Sequence, residues 1–299
     1  MTIQLAVTDA YVPGHELTRI ATVNDVHIGE RRFGVLNRMH EPPAAVPHAQ
    51  RCLRSAVDDA IAWGAQLLVV KGDLTHHCRH AELEAAGSIL GSLPIPVLIV
   101  PGNHETKASR PSEADGVLAK HGLHIVDDVE HVDLPGLRVI AVNTSVEGKH
   151  PGHVGERIPR IAAAAASAPG GVLVCLHHNL QRTRRPLFWP PGVPGPEALE
   201  LCTALRAVNR RVLVVSGHTH RHRRYQRAGV TCAEVGSTKD YPGTWAGYVA
   251  FDHGIRQVVH HVSDPSVQAW LERTGRAVGG LWQLWSPGRL SDRCFSVTW

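Results

Sequence analysis

The sequence lacks the features of membrane-spanning, disulfide-rich or repetitive proteins. No apolar run approaches the roughly 20 residues that a helix needs to cross a bilayer. The six cysteines form no CxxC pair, and their spacing does not suggest a disulfide framework. Aromatic residues make up only 5% of the 299 positions, and the net charge of +4 is mild. These absences indicate a globular chain whose charge says little about its partners.

A targeting segment is also missing from the start of the sequence. The first residues show no basic stretch followed by a long apolar segment, so we expect no secretory signal. Cys175 and Cys202 lie in apolar patterns, where cysteine acts as a small hydrophobic side chain. This usage is typical of a reducing compartment. We therefore expect a cytoplasmic protein without a membrane partner.

Five apolar, β-branched runs are each followed directly by a short polar motif. Such runs are typical of strands buried on both faces. Because ligands bind outside the carboxyl ends of strands in open α/β sheets, we expect the motifs to form one site. The motifs are Asp-x-His, Gly-Asp, Gly-Asn-His-Glu, His-His and Gly-His-Thr-His, and they begin at Asp25, Gly72, Gly102, His177 and Gly217.

Segments with helical periodicity lie between these strands. Residues 48–63 and 80–92 carry apolar side chains at helical spacing, and residues 196–208 begin with a proline, which is favoured at a helix start. The alanine run 162–166 predicts another helix. Recurring strand, motif and helix indicate βαβ units and an α/β fold. Shorter strands are predicted near the end, at 230–235, 248–251 and 257–262.

The chain divides into a catalytic domain, residues 1–264, and a C-terminal segment, residues 265–299. We expect the segment to pack on the core, because buried tryptophans usually serve packing. A lid over the site or a contact in a homodimer is the alternative. Four of the seven tryptophans fall in this segment, at Trp270, Trp282, Trp285 and Trp299.

The five motifs, in this order, resemble those of the calcineurin-like metallophosphoesterase superfamily over about residues 19–220. The resemblance implies an α/β fold built as a four-layer αββα sandwich, in which helices flank two mixed β-sheets. It also implies an enzyme that hydrolyses phosphate esters with two divalent or trivalent metal ions per chain. Manganese, iron and zinc all suit the implied ligands, which include no cysteine.

The resemblance assigns a role to each motif residue. The ligands implied for the first metal ion are Asp25, His27, Asp73 and His220. Those implied for the second are Asp73, Asn103, His177 and His218, so that Asp73 bridges the two ions. The implied catalytic residue is His104, which would lie beside the scissile phosphate. Its imidazole can stabilise the transition state or protonate the leaving alkoxide.

Further residues are candidates for contacts with the substrate or for orienting the ligands. His76 and His178 lie beside the motif residues, and His178 is the alternative to His177 as a ligand. Glu105 could orient a neighbouring histidine, and a solvated loop position explains it equally well.

A proline-rich stretch after residue 181 supplies the last candidate, Arg182. Its arginines and aromatic rings could meet the charge and the π-face of a nucleoside, and a solvated surface loop is the alternative. Besides Arg182, the arginines and aromatic residues of this stretch are Arg184, Arg185, Phe188 and Trp189.

The residues around the motifs favour a small diester as the substrate. Gly72-Asp73 lacks the Asp-Arg-Gly extension of protein phosphatases and the tyrosine of purple acid phosphatases. The chain is most similar to bacterial cyclic-nucleotide and glycerophosphodiester phosphodiesterases. A phosphomonoesterase, a nucleotidase or a DNA nuclease is the alternative, and the arginines between 221 and 227 could contact phosphates. A nucleic acid partner is not favoured. A non-catalytic scaffold on this fold is also not favoured, because it would be expected to lack His104 or several ligands, and all of them are present.

Overall fold

The computed structural model describes residues 11–34, 38–107, 111–183 and 190–299. Two six-stranded sheets of mixed strand direction pack against each other, and helices cover their outer faces. This arrangement confirms the predicted αββα sandwich. None of the helices in the described ranges combines the length and the apolar character of a membrane-spanning helix.

The strands in these ranges are β1 (Glu16–Val23), β2 (Arg32–Phe33), β3 (Met39–His40), β4 (Leu67–Lys71), β5 (Val97–Val100), β6 (Val129–Leu134), β7 (Leu137–Val142), β8 (Gly171–Leu176), β9 (Val212–Ser216), β10 (Arg223–Arg227), β11 (Val230–Glu234), β12 (Thr244–Phe251), β13 (Gly254–His261) and β14 (Phe295–Thr298). The helices are α1 (His48–Ala62), α2 (His80–Leu90), α3 (Asn103–Lys107), α4 (Pro111–Ala119), α5 (Ile158–Ala166), α6 (Gly195–Val208), α7 (Pro265–Gly275), α8 (Leu281–Trp285) and α9 (Leu290–Arg293).

The first sheet has the strand order β14-β13-β12-β1-β4-β5, and the second has the order β10-β11-β9-β8-β7-β6. Within the first sheet β1, β4 and β5 run parallel, and within the second β7, β8, β9 and β11 run parallel. Antiparallel strands complete both sheets. Five of these parallel strands, β1, β4, β5, β8 and β9, precede the polar motifs. The carboxyl ends of each parallel set lie at one edge of its sheet.

Strand β4 shows why the predicted apolar runs are continuous rather than alternating. Its residues Leu67 and Val69 belong to the core between the two sheets. Leu68 and Val70 point the other way, into the core that α1 and α2 cover. Since successive side chains of a strand face opposite sides, both faces need apolar residues.

The predicted helices and strands are confirmed, with boundaries that differ by one or two residues in most cases. Helix α5 begins at Ile158 rather than at residue 162, and β13 begins at Gly254 rather than at residue 257. Strand β12 begins at Thr244 rather than at the predicted residue 248. Its early part pairs with β1, where Ala246 lies opposite Thr22. Pairing with a distant strand therefore extends β12 through residues that carry little apolar signal of their own.

The C-terminal residues 265–299 contribute side chains to two of the cores. Val267 and Leu271 of α7 are buried in the core beneath the first sheet. Phe295 of β14 is buried between the sheets, and β14 pairs with β13. In contrast, the side chain of Leu284 in α8 is 77% exposed.

Candidate metal centre

The five motifs lie at neighbouring strand ends of the two sheets. Asp25, Asp73 and Asn103 follow β1, β4 and β5 of the first sheet. His177 and His218 follow β8 and β9 of the second. The first sheet therefore supplies all the oxygen donors among the predicted ligands, and the second supplies only imidazoles.

The residues predicted to hold the first metal ion converge. The Nε2 atoms of His27 and His220 are 3.2 Å apart. Asp25 Oδ1 is 3.5 Å from His220 Nε2, and Asp73 Oδ2 is 3.6 Å from His27 Nε2. Four donor atoms from three loops, those after β1, β4 and β9, thus lie close together.

The residues predicted to hold the second metal ion converge in the same way. His177 Nε2 is 3.1 Å from His218 Nδ1 and 3.3 Å from Asn103 Oδ1. It is also 3.4 Å from Asp73 Oδ2. The same carboxylate oxygen of Asp73 therefore faces both groups of donors, which is the arrangement that a bridging ligand requires.

This set of donors fits two cations. Asp25 and Asp73 are buried, and a buried carboxylate needs a compensating positive charge. The surrounding groups are imidazole nitrogens and an amide oxygen, which suit manganese, iron or zinc. Ligand atoms of Asp25, His27 and His220 all lie within 4.8 Å of one another, as do those of Asp25, Asp73 and His177.

The backbone at the motifs adopts conformations that non-glycine residues rarely take. A positive φ of this kind is uncommon outside glycine, and such residues cluster at functional sites. Five predicted ligands show it, namely Asp25 (51°), His27 (47°), Asp73 (50°), His218 (69°) and His220 (52°).

The glycines of three motifs are required by the ligands next to them. A Cβ atom at Gly72 would collide with the ring of His177. At Gly102 it would collide with the carboxylate of Asp73, and at Gly217 it would approach the carboxylate of Asp25. The motif glycines therefore leave the space in which the donors of both sheets meet.

Glu105 is buried rather than solvated, and it orients backbone rather than a histidine. Its carboxylate accepts hydrogen bonds from the backbone N–H groups of Asp73 (2.9 Å), Thr75 (2.9 Å) and Gly102 (2.8 Å). Burial and the charge of Asp73 raise the pKa of Glu105. This residue ties the loop after β4 to the loop after β5.

His104 lies beside the donors, and its ligand atom is within 4.8 Å of those of His27 and His76. Its Nδ1 donates to the carbonyl oxygen of His76 at 2.7 Å, because a carbonyl can only accept. Its Nε2 then faces the site, 3.9 Å from Asp73 Oδ2. The ring of His76 packs against that of His104 at a centroid distance of 4.9 Å. Both imidazoles thus line the same side of the site.

The geometry favours His177 over His178 as the ligand at the end of β8. His178 Nδ1 is 2.8 Å from Thr144 Oγ1, and its Nε2 donates to the carbonyl oxygen of His150 at 3.1 Å. Both ring nitrogens of His178 therefore have protein partners, and one of them lies within 4.8 Å of ligand atoms of His177 and His218. Its ring still packs against that of His218, so His178 supports the ligand.

The candidate substrate loop is described only in part. Arg182 is exposed at its beginning, and the carbonyl oxygen of Pro191 near its end lies 3.2 Å from His218 Nε2. The described residue Pro191 therefore lies beside His218. The predicted contributions of four members lie outside the described residues, namely Arg184, Arg185, Phe188 and Trp189.

The arginines between 221 and 227 are engaged within the protein. Arg221 and Arg223 lie 3.3 and 3.8 Å from the buried carboxylate of Glu234. Arg224 stacks over Phe295, and Arg227 donates to a backbone carbonyl. This cluster gives little support to phosphate contacts with a nucleic acid.

The charge state of the histidines differs across the centre. Burial lowers the pKa of His177, but the charge of Asp73 outweighs burial and raises that pKa to about 9. The pKa of His220 is likewise about 9, because the charges of Asp25 and Asp240 outweigh burial. Burial and neighbouring imidazoles lower the pKa of His27 and of His218. Without metal, His177 and His220 are therefore in the positively charged imidazolium form at neutral pH.

The calcineurin-like phosphoesterase family matches residues 18–222, which is more than half of the chain and includes all five motifs. The chain belongs to this family. It is a metal-dependent phosphoester hydrolase, and the predicted enzyme class and family resemblance are confirmed.

Two curated relatives of this phosphoesterase are named probable cyclic nucleotide phosphodiesterases. One, from Rhodococcus erythropolis, is 30% identical over 230 residues, which cover 71% of this chain and 70% of the relative. The other, from Psychrobacter arcticus, is 23% identical over 221 residues, which cover 69% and 76%.

Solved structures with the same fold include a dimetal phosphatase from Danio rerio, with a TM-score of 0.62 and 13% identity. The match covers 84% of this phosphoesterase and 98% of that chain. A purple acid phosphatase from yellow lupin seeds has a TM-score of 0.57 and 15% identity, with 85% and 53% covered. At this identity the neighbours support the fold alone.

One residue of the phosphoesterase site has no counterpart in the sequence motifs. Asp240 Oδ2 lies 2.8 Å from Nδ1 of His220, 20 positions earlier in the chain. Asp240 follows β11, beyond the last motif, in a segment with no recognisable spacing. No signal in a single sequence would have indicated it, because the contact depends on how β11 is placed beside β9.

Proposed function

We propose that this phosphoesterase hydrolyses small phosphodiesters, such as cyclic nucleotides, at a centre of two metal ions. The observation that carries the proposal is the position of Asp73 Oδ2. It lies 3.6 Å from His27 Nε2 on one side and 3.4 Å from His177 Nε2 on the other. A carboxylate shared in this way would let Asp73 contribute to both cations of a pair, and such a pair would assist in-line displacement at phosphorus.

The proposed ligands of the first ion are Asp25, His27, Asp73 and His220, and those of the second are Asp73, Asn103, His177 and His218. Manganese, iron and zinc are the proposed metals. Such a pair of ions supplies Lewis acidity toward the phosphoryl oxygens and a hydroxide nucleophile near neutral pH.

We assign the general acid to His104. Its Nδ1 proton is committed to the carbonyl oxygen of His76, so any further proton must reside on Nε2, which faces the site. In the imidazolium form, His104 can deliver that proton to the leaving alkoxide. His76 packs against this ring and limits its rotation. An alkoxide is a poor leaving group, so a diester gains from this proton transfer.

The names of the curated relatives support a cyclic nucleotide as the substrate. Arg182 supports it further, because its exposed guanidinium belongs to the same stretch as Pro191, which lies beside His218. The engaged arginines between 221 and 227 make a DNA nuclease the weaker alternative.

A screen of metal-supplemented enzyme against phosphodiesters and phosphomonoesters tests the proposal. The set should include 2′,3′- and 3′,5′-cyclic nucleotides, an aryl diester and the matching aryl monoester. We expect the highest kcat/KM for a diester, and chelation should abolish turnover of every substrate. A much higher kcat/KM for monoesters would overturn the phosphodiesterase assignment. The His124→Ala variant, which changes an exposed histidine paired with Glu130, serves as the control for preparation effects.

A further inference from the structure

The proposed metal ligand His220 has a carboxylate behind it. Asp240 Oδ2 lies 2.8 Å from His220 Nδ1, and Asp240 is fully buried. A carboxylate can only accept a hydrogen bond, so Nδ1 carries the proton. The lone pair of Nε2 then points toward His27 Nε2, 3.2 Å away, and Asp25 Oδ1, 3.5 Å away. This tautomer is the one that binding through Nε2 needs.

Asp240 is itself fixed relative to another proposed ligand of the same ion. Its backbone N–H donates to Ser237 Oγ at 3.1 Å, and Ser237 Oγ donates to the carbonyl oxygen of Asp25 at 2.8 Å. The side chain of Asn24 also donates to the carbonyl oxygen of Val235, just before this loop. The loop after β11 therefore encloses the end of β1 and carries Asp240 with it.

A lysine supports the charge of Asp240. Lys239 Nζ donates to Asp240 Oδ1 at 3.1 Å and also contacts the carboxylate of Glu30. Lys239 is only 3% exposed, so its charge is poorly screened by water. One ammonium group therefore lies between two carboxylates and keeps Asp240 ionised against His220.

The other proposed histidine ligands lack such a partner within the described residues. His177 Nδ1 donates to the carbonyl oxygen of Lys71, and His218 Nε2 lies 3.2 Å from the carbonyl oxygen of Pro191. His27 Nδ1 is buried without a hydrogen-bond partner among the described residues. A carbonyl orients an imidazole, whereas a carboxylate also increases its basicity as a ligand.

We propose that Asp240 is a positioning residue that orients His220 and strengthens binding of the first metal ion while leaving the second unaffected. This inference rests on the proposed function, because it assumes that Asp25, His27 and Asp73 complete the first position. Asp240 touches neither the substrate nor the metal in this role. Its partner Lys239 maintains its charge.

The experiment compares metal binding by the wild type, Asp240→Asn and Asp240→Ala. Metal-free protein is titrated with Mn²⁺ or Zn²⁺ by calorimetry, and bound metal is counted after dialysis. We expect two ions in the wild type and, in both variants, roughly 10–100-fold weaker binding at one position with the other unchanged. Asp133→Asn removes a carboxylate from the remote ion pair with Arg138 and should bind both ions normally.

The tautomer of His220 gives a readout that does not depend on turnover. In metal-free wild type at a pH well above the pKa of His220, which is about 9, the imidazole is neutral. Under these conditions its ¹⁵N spectrum should show the Nδ1–H form. Asp240→Ala should move that signal toward the Nε2–H form, and thermal unfolding checks that the variant is folded. If Asp240→Ala does not fold, Asp240→Asn carries the binding test alone.

The outcomes separate this inference from the proposed function. A wild type that binds no metal would overturn the proposed function. If the wild type binds two ions and a folded Asp240→Asn binds both with the same affinity, the positioning role of Asp240 alone would be overturned. Equal weakening at both positions would also overturn it, because the effect would then be a general loss of structure.

Discussion

The two sheets of this phosphoesterase contribute different chemistry to one centre. The first sheet delivers the oxygen donors, and its loops are joined by backbone hydrogen bonds, such as His27 N–H to the carbonyl oxygen of Asp73 at 2.8 Å. The second sheet delivers imidazoles, two of which, His177 and His218, contact groups of the first sheet. His218 N–H donates to the Asp25 carboxylate at 2.9 Å, and His177 Nδ1 donates to the carbonyl oxygen of Lys71.

This difference indicates that the imidazoles of the second sheet depend on the first sheet more than the reverse. Asp73 is held by Glu105 of its own sheet, whereas the imidazoles of His177 and His218 rely on contacts across the interface. Losing a carboxylate of the first sheet should therefore disturb donors on both sheets, while losing an imidazole should disturb one position. The following predictions test this dependence, in decreasing order of their expected effect on activity.

The largest effect should come from Asp73→Ala. Its Oδ2 atom faces both groups of donors, so we expect the loss of bound metal at both proposed positions and no measurable turnover. Metal analysis after dialysis is the measurement. His218→Ala, from the second sheet, should retain one ion. If Asp73→Ala keeps one ion and His218→Ala loses both, the donors of the first sheet depend on those of the second, contrary to the prediction.

The next effect concerns His104, which follows the first sheet but is not a proposed ligand. We expect His104→Ala to retain both metal ions and to lose turnover by about 10²–10⁴-fold, the usual range for a general acid. Steady-state kinetics and metal analysis on the same sample check this. Loss of metal in His104→Ala would make His104 a ligand and contradict its assigned role.

The imidazoles of the second sheet predict a pH dependence of metal binding. His177 and His220 have pKa values raised to about 9, so in the metal-free protein both are protonated at neutral pH. A metal ion must displace these protons, and affinity should therefore increase as the pH rises. We expect up to about a tenfold gain per pH unit at each position between pH 6 and 8. Calorimetry in buffers of different ionisation enthalpy measures the released protons, and a flat profile would contradict the raised pKa values.

The smallest effect on activity should come from the C-terminal residues 265–299, which we propose to be part of the core. Phe295→Ala should lower the free energy of unfolding by about 3–5 kcal/mol, because the side chain is buried between the sheets. Turnover of the protein that remains folded should change little. Leu284→Ala, at a 77% exposed position, is the control and should stay within about 0.5 kcal/mol of wild type.

The opposite result for this pair would favour the lid or the dimer contact. In that case Phe295→Ala would leave unfolding unchanged, while Leu284→Ala would alter activity or the oligomeric state. Denaturant unfolding and light scattering distinguish the two interpretations.

Much of the fold could be predicted because its elements are defined locally. The apolar runs of β4 and β8 indicate buried parallel strands, and the spacing in residues 48–63 indicates a helix. Motif glycines such as Gly72 and Gly102 mark sharp turns at the strand ends. These signals depend on neighbours in the chain, so one sequence is enough to read them.

The roles of Glu105, His178 and Asp240 depend instead on contacts across space. Glu105 is buried because three backbone N–H groups from two loops meet at its carboxylate. Both ring nitrogens of His178 have protein partners, because Thr144 and the carbonyl oxygen of His150 engage its ring. Local patterns are the same for a buried and a solvated carboxylate, so periodicity cannot separate these cases.

Strand periodicity and motif order thus specify two sheets, their buried faces and the residue types at the strand ends. They do not specify how closely the sheets approach or which nitrogen of a histidine faces the site. Those features follow from the packing of the core between the sheets, where Leu67 and Val69 meet the second sheet. Close packing brings donors of the two sheets within 3.5 Å of one another, whereas the position of β11 beside β9 places Asp240 behind His220.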